Sequence, residues 1–105
     1  VSYMNTYLKR RIKELCEMVY GKGSFDQKNE EEYQIALNNI KGLIKANKPI
    51  LKESQCQMLE LYYNNDYASI KAIASKCGTY NRIASNRIKQ GNMILKAAIQ
   101  RVNVL

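Results

Sequence analysis

The sequence has no histidine, a single proline (Pro49), a single phenylalanine (Phe25) and five glycines in 105 residues. Without histidine, the commonest general base and metal ligand is missing. The three cysteines, Cys16, Cys56 and Cys77, include no Cys-x-x-Cys pair, so no metal-binding residues are assigned. No nucleophile has a partner base and no carboxylates converge, so we assign no catalytic residue and no cofactor and expect a protein that is not an enzyme. Glu30, Glu31 and Glu32 are consecutive, fan around a helix and suit its positive end better than a metal ion. The odd number of cysteines, each in an apolar helical register, reads as small buried hydrophobes in a reducing, cytoplasmic compartment. No apolar run approaches the length of a membrane span and no signal peptide is visible, so no membrane partner is expected. The first residue is Val1 rather than methionine, which reads as a trimmed chain or a piece of a longer one.

Acidic residues are missing from one half of the chain. All nine lie at or before Asp66, whereas residues 67–105 carry seven basic ones: Lys71, Lys76, Arg82, Arg87, Lys89, Lys96 and Arg101. Of the net charge of +8, residues 67–105 hold +7 and residues 1–66 hold +1. A polyanion partner is therefore expected to meet the C-terminal half.

Sparse breakers in a chain rich in Leu, Ile, Lys, Glu and Gln predict an all-α fold. Five helices are expected, or six if the chain breaks at Gly91-Asn92. Met4, Leu8, Ile12, Leu15 and Val19 stripe a helix over Tyr3–Tyr20, capped by Ser2 or Asn5. The GKGSFDQ stretch (residues 21–27) is a loop. It follows a helix rather than a strand and lacks the opening glycine of a phosphate-binding loop, and Phe25 should pin it to the core. A second helix runs from Asp26 or Asn29 to about Asn47 with Tyr33, Leu37, Ile40 and Ile44 inward. Pro49 marks a linker. A third helix covers Lys52 to Asn64, with Ser54 as its cap and Cys56, Leu59, Tyr62 and Tyr63 on one side. Asn64-Asn65-Asp66 then turns the chain.

The segment Ser69–Lys89 organises the rest. Ile70, Ile73, Ala74 and Cys77 share one face of a fourth helix, and Gly78 supplies the left-handed backbone just past its end. The next helix, residues 80–90, carries a run of basic and amide side chains. The combination predicts a C-terminal helix-turn-helix whose second helix enters the major groove.

Leu51–Leu95 resembles region 4 of bacterial sigma factors. The matching residues are Ser-x-x-x-Met-Leu-x-Leu-Tyr-Tyr (Ser54–Tyr63), Ser69-Ile70-x-x-Ile73-Ala74-x-x-x-Gly78, and the basic helix with Asn86-Arg87-Ile88-Lys89. The match covers a little under half the chain and departs from the family at Ala84, where a bulky aliphatic is usual. Residues 1–47 do not look like the sigma region that melts promoter DNA. The resemblance thus implies a small sigma-like regulator of bacterial or phage type, or one part of a split factor.

Two units are expected: residues 1–47, an N-terminal helical hairpin, and residues 48–105, the DNA-binding domain. Double-stranded DNA is the expected partner. Asn81, Arg82, Ser85, Asn86 and Lys89 are the candidate base readers. Lys71, Lys76, Thr79, Tyr80 and Arg87 are the candidate phosphate contacts. The N-terminal helices should complete a core that a short helix-turn-helix cannot build. They also offer a surface for a homodimer, for RNA polymerase or for a second protein subunit. The rival reading is a helical protein–protein interaction module, such as a small inhibitor or adaptor of the transcription machinery, that does not touch DNA.

Overall fold

The computed structural model describes residues 3–25 and 29–102. It holds five helices: α1 (Thr6–Tyr20), α2 (Glu30–Ala46), α3 (Glu53–Tyr62), α4 (Ile70–Lys76) and α5 (Asn81–Val102). No strand occurs among the described residues. The expected all-α class with five helices is what is found. No described helix is long and apolar enough to cross a membrane.

The longest helix, α5, is the axle of the fold and packs against each of the other four. Its 22 residues span about 33 Å at 1.5 Å per residue, against a longest molecular dimension of 36 Å. Ala84, Ile88, Gly91, Leu95 and Ala98 face inward at helical spacing. The helix runs through Gly91-Asn92 without a break. A Cβ built on Gly91 would lie 2.7 Å from Leu59 Cδ1 and 2.9 Å from its Cγ, so α3 and α5 cross where only glycine leaves room. That close approach offsets the roughly 1 kcal/mol that glycine costs a helix interior.

The main core joins α1, α2, α3 and the C-terminal half of α5 through Leu8, Ile12, Ile40, Ile44, Leu59, Leu95 and Ile99, among others. Residues on both sides of the 47–48 boundary therefore share one core. Phe25 packs on it edge-to-face with Tyr33, at 5.5 Å between ring centres. A smaller cluster of Met58, Ile73, Ala74, Ala84 and Ile88 lies under α4 and the N-terminal half of α5.

The helix ends show where local chemistry differs from the simplest expectation. Asn29 caps α2 as expected, its Oδ1 accepting from the Glu32 N–H at 3.0 Å; Ser2 and Asp26, the other cap candidates, lie outside the described residues. Asn5 holds the N-cap position of α1, but its side chain does not cap. Its Nδ2 donates instead to the Asn65 carbonyl at 2.7 Å, and its backbone N–H donates to Asn65 Oδ1 at 2.7 Å. At α3 the N-cap is Lys52, not Ser54, which sits inside the first turn. Buried Leu51 anchors the chain just before the helix, and Gln55 Oε1 accepts from the Lys52 N–H at 3.0 Å. Asn47 closes α2 from within, its Nδ2 donating to the Leu43 carbonyl at 2.8 Å.

All three cysteines are free. Cys16 and Cys56 are buried as expected, and burial pushes the Cys16 thiol up to about 11. Cys77, at the end of α4, is only half-buried.

Candidate nucleic-acid interface

The segment from Ser69 to Lys89 forms helix, tight turn, helix. Ser69 caps α4, its Oγ accepting from the Ala72 N–H at 3.1 Å. At the other end Gly78 takes φ +65°. The Thr79 N–H donates to the Ala74 carbonyl at 2.9 Å, and the Gly78 N–H donates to the Ser75 carbonyl at 3.2 Å. These two bonds make a Schellman turn, which fixes the exit angle of the chain from α4. Tyr80 then leads into α5 with its carbonyl accepting from the Ala84 N–H at 3.0 Å.

All five candidate base readers, Asn81, Arg82, Ser85, Asn86 and Lys89, are exposed. At 3.6 residues per turn they fall within roughly 140° of arc on α5. Arg82, Asn86 and Lys89 form the outward ridge, opposite buried Ala84, Ile88 and Gly91. Asn81 and Ser85 lie on one flank of it. The candidate phosphate contacts are more dispersed. Arg87 is half-buried on the flank away from Ser85. Lys71 and Lys76 are both exposed, but they leave α4 on different sides and at opposite ends. Thr79 is half-buried, and because its N–H is taken by Ala74, only its hydroxyl remains to meet a phosphate. Tyr80 is 79% exposed.

Helix α1 runs beside this surface. A groove of about 340 Å³ separates α1 from α5, and Arg11, Glu14, Met18, Ile70, Ser85 and Lys89 help to line it. Glu14 thus brings a carboxylate to the edge of a surface whose own segment carries none. The sequence offered a signal: Glu14 and Met18 fall at i+3 and i+7 from Arg11, along one side of α1.

Arg11 itself is a residue the sequence reading missed. It is 6% exposed. Its Nη1 donates to the Tyr62 carbonyl at 2.8 Å and to the Tyr67 carbonyl at 2.7 Å. The guanidinium lies 4.4 Å from the centre of the Tyr62 ring and 4.9 Å from that of Tyr7. Burial pulls its pKa down, while the neighbouring tyrosines oppose that shift. One buried cation on α1 therefore satisfies the last carbonyl of α3 and a carbonyl just ahead of α4. Nearby, the hydroxyl of fully buried Tyr63 donates to Asn92 Oδ1 at 2.7 Å, tying the end of α3 to the middle of α5. The α3–α4 connection and the middle of α5 are thus each tied to the rest of the fold.

No three His, Cys, Asp or Glu side chains among the described residues gather where they could hold a metal ion. Comparison with known proteins gives no match, whether to a family model, a curated protein or a solved structure.

Proposed function

We propose that this protein is a sequence-specific DNA-binding regulator that inserts α5 into the major groove in the manner of a helix-turn-helix. The observation that carries the reading is the exposed ridge of Arg82, Asn86 and Lys89 on the outward side of a helix whose inward side is fully packed. Arginine bridges the two acceptors of guanine, and asparagine pairs with adenine. The tight turn at Gly78 and the Arg11 clamp give that ridge a fixed direction, which base readout requires. Lys71 and Lys76 add register without reading sequence. The resemblance of Leu51–Leu95 to sigma region 4 makes a small sigma-like transcription regulator the preferred subclass, with the N-terminal helices as scaffold and docking face.

The test is selection of bound duplex from a random pool, followed by gel-shift titration on the winner and on a scrambled duplex. Arg82→Ala should cost about 1–3 kcal/mol on the selected site and blur one base preference, whereas Lys76→Ala should weaken both duplexes alike. Equal losses on both duplexes for Arg82→Ala would remove its assigned role. Affinity for random duplex should fall steeply as salt rises.

The interaction-module reading is favoured by one feature. Met93, 50% exposed, continues the α5 ridge one turn beyond Lys89, where an apolar side chain suits a protein partner as well as a thymine methyl. Absence of any salt-dependent duplex binding would select that reading.

A further inference from the structure

The described residues leave the outward face of α2 exposed. Glu31, Ile35, Asn38, Gly42 and Lys45 are all exposed. They recur at spacings of four, three, four and three, the seam pattern of a helix that pairs with another helix. Ile35 is 55% exposed although it belongs to a well-packed helix. Gly42 has nothing within 4 Å of the position where a side chain would stand, so no described side chain covers the backbone there. The charges along α2 are segregated: Glu30, Glu31 and Glu32 fill its first turn, and Lys45 is in its last.

We propose that this face is the contact surface for a second copy of the chain, with the two α2 helices antiparallel about a two-fold axis at Asn38. The assignment follows from self-complementarity, which an isologous contact demands. In that register Ile35 of one copy lies over the uncovered backbone at Gly42 of the other. Glu31 meets Lys45 across the pair, once at each end. The two Asn38 amides face one another on the axis, where a reciprocal amide pair fixes register. A parallel pairing would set Glu31 against its own copy and Lys45 against its own, and has no such match. The seam holds a single large apolar residue per chain, so the association is expected to be weak and reversible. Nothing in this assignment depends on DNA binding, and its test involves none.

The test is sedimentation equilibrium of the full chain over a dilution series from high to low micromolar. The weight-average mass should rise from 12.1 kDa toward twice that value and stop there. Glu31→Lys and Lys45→Glu alone should each hold the mass at the monomer value. The double variant carrying both should restore association, because exchange of the charges re-forms both ion pairs across the axis. Ile35→Lys should also give a monomer. Far-UV circular dichroism on each variant keeps loss of association distinct from loss of fold, and all three substituted positions are exposed. A wild-type mass fixed at 12.1 kDa, a mass exceeding two copies, or a folded double variant that stays monomeric would each overturn the proposal.

Discussion

The two hydrophobic clusters of this protein are stabilised in different ways. Among the described residues the main one gathers seventeen buried side chains from four helices and the residues flanking them, and the one beneath α4 and the start of α5 gathers five. Area burial at about 25 cal/mol per Å² can account for the first. The second contains only three buried side chains larger than alanine, so area burial contributes less to holding the seven-residue helix above it. It is secured at its margins instead: by the Ser69 cap, the Schellman turn at Gly78, the Arg11 bonds to the α3–α4 connection, and the continuation of α5 into the main core. The lesson is that the candidate interface gains its rigidity from directional bonds at its ends, whereas the scaffold behind it is stabilised by bulk.

The first way to test that contrast is to damage the scaffold. Leu95 is fully buried where α5 crosses the main core. Leu95→Ala should cost about 2–5 kcal/mol, read as a lowered urea midpoint by circular dichroism. Because α5 belongs to both clusters, both should melt together; separate transitions for the two would show that α5 does not couple them.

A smaller and more selective effect is expected at the α3–α4 connection. Arg11→Met keeps an unbranched apolar stem but leaves the Tyr62 and Tyr67 carbonyls without their donor. Unsatisfied buried groups cost about 1–3 kcal/mol each; both carbonyls are only part-buried, so a total at the low end, roughly 2–3 kcal/mol, is expected. Arg11→Lys should not restore it, since an ammonium lacks the planar fork that stacks on Tyr7 and Tyr62. Hydrogen exchange gives the discriminating readout. Amides of α4 should lose protection beyond the global change, while those of Ile40 and Ile44 in α2 should not. Uniform loss would make Arg11 an ordinary core residue.

How much of this was legible beforehand depended on whether one residue's signal lay in its own segment. The inward face of α5 followed from Ala84, Ile88, Leu95 and Ala98 because a helical period is a local property, and the outward ridge followed by subtraction. Gly78 was readable because a left-handed turn after an apolar helix face calls for glycine. Gly91 was not, for its reason lies in Leu59, 32 positions earlier, and from the sequence alone it looks like a weak point. Arg11 sits at i+3 from Leu8 and i−4 from Leu15, squarely in the apolar stripe of α1. Its charge conceals that register, since a buried arginine makes sense only once the carbonyls of Tyr62 and Tyr67 are in place. Asn5 is the same case at lower stakes: its type and position suit a cap, but Asn65, sixty residues away, takes its side chain. The side on which α1 flanks α5, and with it the shared groove of Glu14 and Lys89, is a tertiary fact; the sequence shows only that Glu14 and Met18 share a side of α1 with Arg11.

The mildest test concerns Ser69. Loss of an N-cap side chain costs about 1 kcal/mol. In a helix of seven residues that is a large share of whatever keeps α4 closed, but a small share of global stability. If α4 opens by itself, Ser69→Ala should leave the urea midpoint nearly unchanged, yet raise exchange at the Ile73, Cys77 and Thr79 amides roughly fivefold through local opening. Those three amides donate to the Ser69, Ile73 and Ala74 carbonyls, so they report on the first turn, the body and the turn after α4 in order. A graded effect, strongest at Ile73 and weakest at Thr79, would mean that α4 frays from its cap while the Gly78 turn stays shut. An equal rise at all three would mean that the helix leaves the α5 surface as a unit. A midpoint shift of the full amount with no local excess would merge the two clusters into one cooperative body and end the distinction between a bulk-stabilised scaffold and a bond-stabilised edge.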